Sequence, residues 1–113
     1  MIKAGPKKLK IYDTIKGKQP YLDWLKTLRD VSTIARIRAR IDRIEDGILG
    51  NYRALGTGLF EFKFDFGSGY RIYFALDGDK IILLLMGGDK SSQRRDIEKA
   101  RQYLTDYLMR KTK

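Results

Sequence analysis

The sequence predicts an α+β domain with the element order β-α-α-β-β-β-α. Three observations carry this reading. Isoleucines at 34, 37, 41, 44 and 48 recur at helical spacing. Phenylalanines at 60, 62, 64 and 66 alternate with other residues at strand spacing. An apolar run, Ile81–Met86, lies between the turn signals Asp77-Gly78-Asp79 and Gly87-Gly88. Successive hairpin-linked strands flanked by helices give a small, twisted, mainly antiparallel sheet. The 113 residues are the length of a single domain, 1–113.

Each element has a local cause. Leu9–Tyr12 is a short apolar strand between lysines. Pro20 suits the first turn of a helix, where its missing N–H would be unpaired anyway, and Tyr21, Leu25 and Leu28 follow at helical spacing. The isoleucine stripe marks a second helix, with Asp30 or Ser32 able to cap it and Gly47 or Gly50 able to end it. Arg36, Arg40 and Arg43 share another face of that helix. Phe66-Gly67-Ser68-Gly69 and Asp77-Gly78-Asp79 are hairpin turns around an alternating strand, Tyr70–Leu76. Ile81–Met86 is apolar on both faces and so reads as a central strand covered on both sides. Ser91 or Ser92 caps a final helix whose inner face is Ile97, Ala100, Leu104 and Leu108.

Register gives the first functional hint. Matching the Phe60/Phe62/Phe64 face to the Ile72/Phe74 face requires a turn of odd length. Lys63 then lies opposite Arg71, and Glu61 opposite Tyr73. Two cations side by side cost stability unless an anion joins them. Either a ligand supplies that anion, or Glu61 and Asp65 do, or a bulge separates the pair.

Composition excludes several chemistries. The chain has no cysteine and no histidine, so disulfides, thiolate metal sites, His-ligated zinc and histidine general-base catalysis are absent. The formal net charge of +10 points to a polyanionic partner. That charge is concentrated at the flanks: lysines 7, 8, 10, 16 and 18 form one cluster, and Arg94, Arg95, Lys99 and Arg101 another. Such clusters neutralise phosphates without reading sequence. Gly87-Gly88-Asp89-Lys90-Ser91-Ser92 is a glycine-rich strand end running into a helix, a setting that can hold an anion, although it lacks the order of a Walker loop. No segment reads as a signal peptide or a membrane span, so the expectation is a soluble, cytoplasmic protein.

Two stretches carry a family resemblance. They are Leu59-Phe60-Glu61-Phe62-Lys63-Phe64-Asp65-Phe66-Gly67-Ser68-Gly69-Tyr70-Arg71-Ile72-Tyr73-Phe74, and Leu83 to Gln93 with its Gly-Gly-Asp-Lys-Ser-Ser-Gln ending. Together they resemble the RelE/ParE toxin superfamily, in its HigB-like, phage-derived addiction module killer branch. The resemblance implies two helices on one face of the sheet and an exposed, basic catalytic face. It implies the toxin of a type II toxin-antitoxin module: a metal-independent mRNA interferase, an endoribonuclease acting on mRNA in the ribosome, needing no cofactor and silenced by a cognate antitoxin. Carried over by position, Arg71 is the strand arginine that stabilises the cleaved phosphate, with Lys63 and Lys90 adding positive charge. The tyrosine that follows the last strand in the best-known members is missing here.

RNA brings its own nucleophile, the 2′-OH, so the protein must remove that proton, stabilise the phosphorane and protonate the leaving oxygen. Arg71 suits the second role, because its planar fork donates two bonds to phosphate oxygens. Lys63 is the candidate base and Lys90 the candidate acid or phosphate clamp, with Asp89 and Glu61 as rivals for the base. Lys7, Lys8, Arg94 and Arg95 are candidate RNA-binding residues, and Tyr73 a candidate stacking platform. Two competing readings are a ParE-like inhibitor of DNA gyrase and a non-catalytic basic binding module.

Overall fold

The structure is a computed structural model, which describes residues 2–112. Its elements are β1 (Lys8–Ile11), α1 (Pro20–Thr27), α2 (Val31–Glu45), β2 (Tyr52–Gly56), β3 (Leu59–Lys63), β4 (Arg71–Asp77), β5 (Ile81–Gly88), a 3-10 turn (Lys90–Ser92) and α3 (Gln93–Lys111). The five strands form one sheet in the order β1-β5-β4-β3-β2. β1 runs parallel to β5, and the other pairs are antiparallel.

The expected α+β class is present, with two corrections. The first is an additional strand, β2, pairing Tyr52 with Phe62 and Arg53 with Glu61. It is a sheet-edge strand with mostly exposed residues, so it carries no strong apolar alternation. The second concerns the helices, which do not share one face. On one side α1 and α2 cover Phe62, Phe64, Ile72, Phe74, Ile82 and Leu84, burying Tyr21, Ile37 and Ile44 there. On the other side α3 covers Leu59, Tyr73, Ala75, Leu83 and Leu85 through Ala100 and Leu104. The expected exposed face of the sheet is therefore roofed by α3. Leu108, expected on the inner face of this helix, is exposed near its end.

A β-bulge makes both cores possible. The β4–β5 register shifts between Tyr73 and Phe74, inserting Leu85 without a partner. Beyond the shift, Gly87 is paired with Ile72 and Gly88 with Arg71. A Cβ on Gly87 would lie 2.2 Å from the Trp24 ring, and one on Gly88 would lie 1.9 Å from Asp96 Oδ2. These two glycines let α1 and α3 close on opposite sides of the same strand end.

Helix boundaries follow side-chain chemistry. Asp30 is the cap of α2, accepting from the Ser32 N–H at 3.3 Å and the Thr33 hydroxyl at 2.8 Å. The chain leaves α2 through Gly47 at φ 91°, whose N–H donates to Ile44 O. At the last helix Asp89 caps the 3-10 turn by accepting from the Ser91 N–H. Ser92 occupies the cap position of α3 without a side-chain cap bond, and its hydroxyl bonds Asp96 instead.

The far end of α3 is fastened by two carboxylates. Asp77 accepts from Lys111 and Tyr107, and these bonds hold its carboxyl below the ordinary value of 3.8. Asp106 accepts from Tyr12 and Arg110 and is lowered for the same reason. Burial, together with Asp106, pushes the Tyr12 phenol up to about 12. A carboxyl depressed on folding adds stability that is complete above its unfolded value and is lost as pH falls through its folded value. The expected result is that α3 loosens in the window below 3.8. Amide hydrogen exchange should rise at residues 104–111 as pH drops from about 5 to about 2, beyond the intrinsic pH effect, and less in Asp77→Asn, which has already lost one fastening.

Candidate functional site

The three residues expected to be catalytic come together at one end of the sheet. Lys63 closes β3 and lies directly across from Arg71, which opens β4. The turn between them, 64–70, meets the 3-10 turn after β5, where the Lys90 N–H donates to Ser68 O at 3.3 Å. Gly69 is wedged between the other two: a Cβ there would lie 3.2 Å from Lys90 Cβ and 3.4 Å from Arg71 Nη1. Lys90 is exposed and Lys63 half-buried.

Arg71 is held tightly. Its Nη1 donates to Gly69 O at 2.7 Å and to Tyr70 O at 3.2 Å, and its Nε lies 3.8 Å from Glu61 Oε1. The side chain is only 10% exposed. Glu61, across from Tyr73 as the register predicts, is wholly buried. It accepts from Arg53 on β2 and from the Gln93 amide at 3.0 and 3.3 Å. The anion beside Arg71 is thus supplied from within the chain. Tyr73 is also wholly buried, and its hydroxyl has no hydrogen-bond partner. Burial and the nearby charges of Glu61 and Asp96 push its phenol far above the ordinary value of 10.0.

These facts sort the expected roles. Tyr73 lies under α3, so its ring is not a platform on which a base can stack. Glu61 is closed off as a base by burial and by its two donors, Arg53 and Gln93. Asp89 is committed to Ser91, whose bonds hold its carboxyl below the ordinary range. Lys63 is the remaining base candidate of those the sequence singles out. Arg94 and Arg95 are exposed on the first turn of α3, next to Gln93, and lie near this end of the sheet. Lys7 and Lys8 do not. Lys8 pairs with Ile81, at the end of β5 opposite Gly88, about 23 Å away by strand length. Lys7 is buried, and its Nζ donates to Lys3 O at 2.5 Å and Asp79 O at 3.1 Å, so it ties the N-terminal segment to the β4–β5 turn.

One feature was not legible as a site in the sequence. On the α2 side of the same sheet end lies a cleft of about 500 Å³, lined by residues that include Arg36, Arg40, Arg43, Lys63, Asp65 and Phe66. Arg40 is buried, its guanidinium packed 4.5 Å from the centre of the Phe64 ring. It donates to three carbonyl oxygens, those of Lys63, Leu49 and Asn51. Its Nε is buried without a partner. Burial and Arg43 lower its pKa, while Asp65 raises it. The sequence showed the arginine row on α2 but not which member turns inward.

No helix of the described residues is long and apolar enough to cross a membrane. The family described as Phage derived protein Gp49-like (DUF891) matches residues 23–105, from α1 through most of α3. An uncharacterized protein of Haemophilus influenzae is 38% identical over 87 residues, which are 77% of this chain and 88% of that protein. The family match spans the sheet end where Lys63, Arg71 and Lys90 meet, and the chain belongs to the Gp49-like family of phage-derived proteins.

Proposed function

We propose that this protein is the toxin of a type II toxin-antitoxin module, of RelE/ParE type, which cuts mRNA on the ribosome in the cytoplasm and is neutralised by a cognate antitoxin. The observation that carries the reading is the convergence of Lys63, Arg71 and Lys90, from three separate elements, on one end of the sheet. Membership in a phage-derived family agrees with it.

The chemistry follows from what each group can reach. Lys90, exposed at the start of the 3-10 turn, clamps a non-bridging phosphate oxygen and protonates the leaving 5′-oxygen. Arg71 presents its exposed edge to the pentacoordinate phosphorus, where negative charge grows. Its bonds to Gly69 and Tyr70 fix the guanidinium in advance, so little reorganisation is needed at the moment of reaction. Lys63 Nζ takes the proton of the 2′-OH. The 2′-oxygen then attacks phosphorus, the bond to the 5′-oxygen breaks, and the products are a 2′,3′-cyclic phosphate and a 5′-hydroxyl. Arg94 and Arg95 hold flanking phosphates. With no histidine in the chain, much of the rate has to come from a message already held in place, which is what a ribosome supplies.

Induced expression without an antitoxin tests this. The wild type should stop growth and label incorporation within minutes, with new 5′ ends inside translated messages. Lys90→Ala changes an exposed side chain at no structural cost and should reduce those ends about a hundredfold, within the usual range for loss of general acid-base help. Arrest with intact messages and a DNA-damage response would replace this reading with gyrase inhibition. No arrest would leave a binding module.

A further inference from the structure

The cleft between α2 and the β3–β4 turn is not used by the chemistry above. We infer that it binds the sugar-phosphate backbone of single-stranded RNA on the side of the turn away from Lys90, an inference that rests on RNA being the substrate.

Four observations support this. Cations dominate the cleft: Arg36, Arg40 and Arg43 line it against the carboxylate of Asp65. Arg40 is more than nine-tenths buried, has only neutral carbonyl partners within hydrogen-bond reach, and keeps an unpartnered Nε. A buried guanidinium in that state is short of an anion. Arg36, Arg40 and Arg43 occupy positions i, i+4 and i+7 of α2, a row about 10 Å long, which is the axial length of about three stacked nucleotides of one strand. The Arg36 guanidinium lies 3.9 Å from the centre of the Phe66 ring, so its planar fork is already oriented at the rim. An acidic peptide could also meet the charge. The regular row of planar forks favours the evenly spaced, bidentate oxygens of a phosphodiester chain.

Lys63 joins this cleft to the proposed catalytic end. Its carbonyl accepts from Arg40 on the α2 side, while its side chain belongs to the opposite face with Arg71. A strand lying in the cleft and passing around the 64–70 turn would arrive at Lys90.

The test uses the full-length protein, a fluorescent single-stranded RNA 12-mer and salt titration. The double variant Arg36→Ala/Arg43→Ala removes two exposed cations and should weaken binding about tenfold or more at physiological salt. It should also lower the log–log salt slope by about 1.4, as expected for two lost phosphate contacts on a single strand. The control Lys16→Ala/Lys18→Ala removes the same charge from an exposed loop and should change the slope far less. In nitrogen-15 spectra, the Arg40 Nε–H signal should shift on RNA addition and not with poly-glutamate.

Equal losses in the two double variants, a silent Arg40 signal or no RNA binding would each overturn the inference. So would an Arg40 response to poly-glutamate alone, which would make the cleft a site for acidic protein. Message cutting without any dependence on Arg36 and Arg43 would remove the cleft's role and leave the catalytic reading standing. RNA bound through the cleft with no message ever cut would do the reverse.

Discussion

Replacing Glu61 with leucine lowers stability by about 3–5 kcal/mol, which is about a fifth or more of what a domain of this size possesses. Glu61 is wholly buried and is the acceptor for Arg53 and Gln93 and the counter-charge of Arg71. Removing it strands the Arg71 guanidinium, nine-tenths covered, with only backbone oxygens as partners. A buried pair replaced whole behaves differently from a pair cut in half. The double variant Glu61→Leu/Arg71→Met should therefore recover about 2 kcal/mol or more of the loss. Urea unfolding of the wild type, two single variants and the double variant closes the cycle. A double variant no better than Glu61→Leu would mean that the carboxylate serves Arg53 and Gln93 rather than Arg71.

Arg40→Ala is the second large effect, at about 3 kcal/mol. The side chain bridges three segments by donating to the carbonyls of Leu49, Asn51 and Lys63, and it packs on Phe64. Truncation takes a donor from each of those oxygens, of which Asn51 O keeps the Lys63 N–H, and opens space beside the ring, each a cost on the order of 1 kcal/mol or more. Arg40→Lys keeps the charge but cannot reach three divergent acceptors, so it should recover less than half. Urea midpoints check the sizes, and amide exchange at 49–52 and 63–64 should rise first. Unchanged exchange there would mean that β2 is held by its ladder to β3 alone.

Much of this architecture was legible in the residues. The isoleucine spacing placed α2, and the phenylalanine alternation fixed the β3–β4 register closely enough to put Lys63 across from Arg71 and Glu61 across from Tyr73. Side-chain period is a strong constraint when one face must be buried. β2 escaped because an edge strand with mostly exposed residues has little period to read. The roof formed by α3 had a signal: Ile81–Met86 is apolar on both faces, which requires cover on both sides. The family resemblance pointed the other way, to an open face, and the residue pattern was the better guide.

The site divides in the same way. Convergence of Lys63 and Arg71 follows from register, and Lys90 from its place after the last strand. Burial of Tyr73 and Lys7 does not follow, because each depends on what packs over it from a distant segment. The inward turn of Arg40 was hidden for a related reason. Its three acceptors are backbone carbonyls, which leave no mark in a sequence.

The central claim is that the end of the sheet carrying Lys63, Arg71 and Lys90 cuts mRNA held by the ribosome. The most direct measurement places a defined message on purified ribosomes, adds the protein, and maps 5′ ends with time. The account predicts cleavage within the occupied codon, a 2′,3′-cyclic phosphate end, no cleavage when the nucleotide before the cut is 2′-deoxy, and a rate about a hundredfold lower for Lys90→Ala. An intact message on protein-saturated ribosomes, or cleavage that survives the 2′-deoxy substitution, would contradict it.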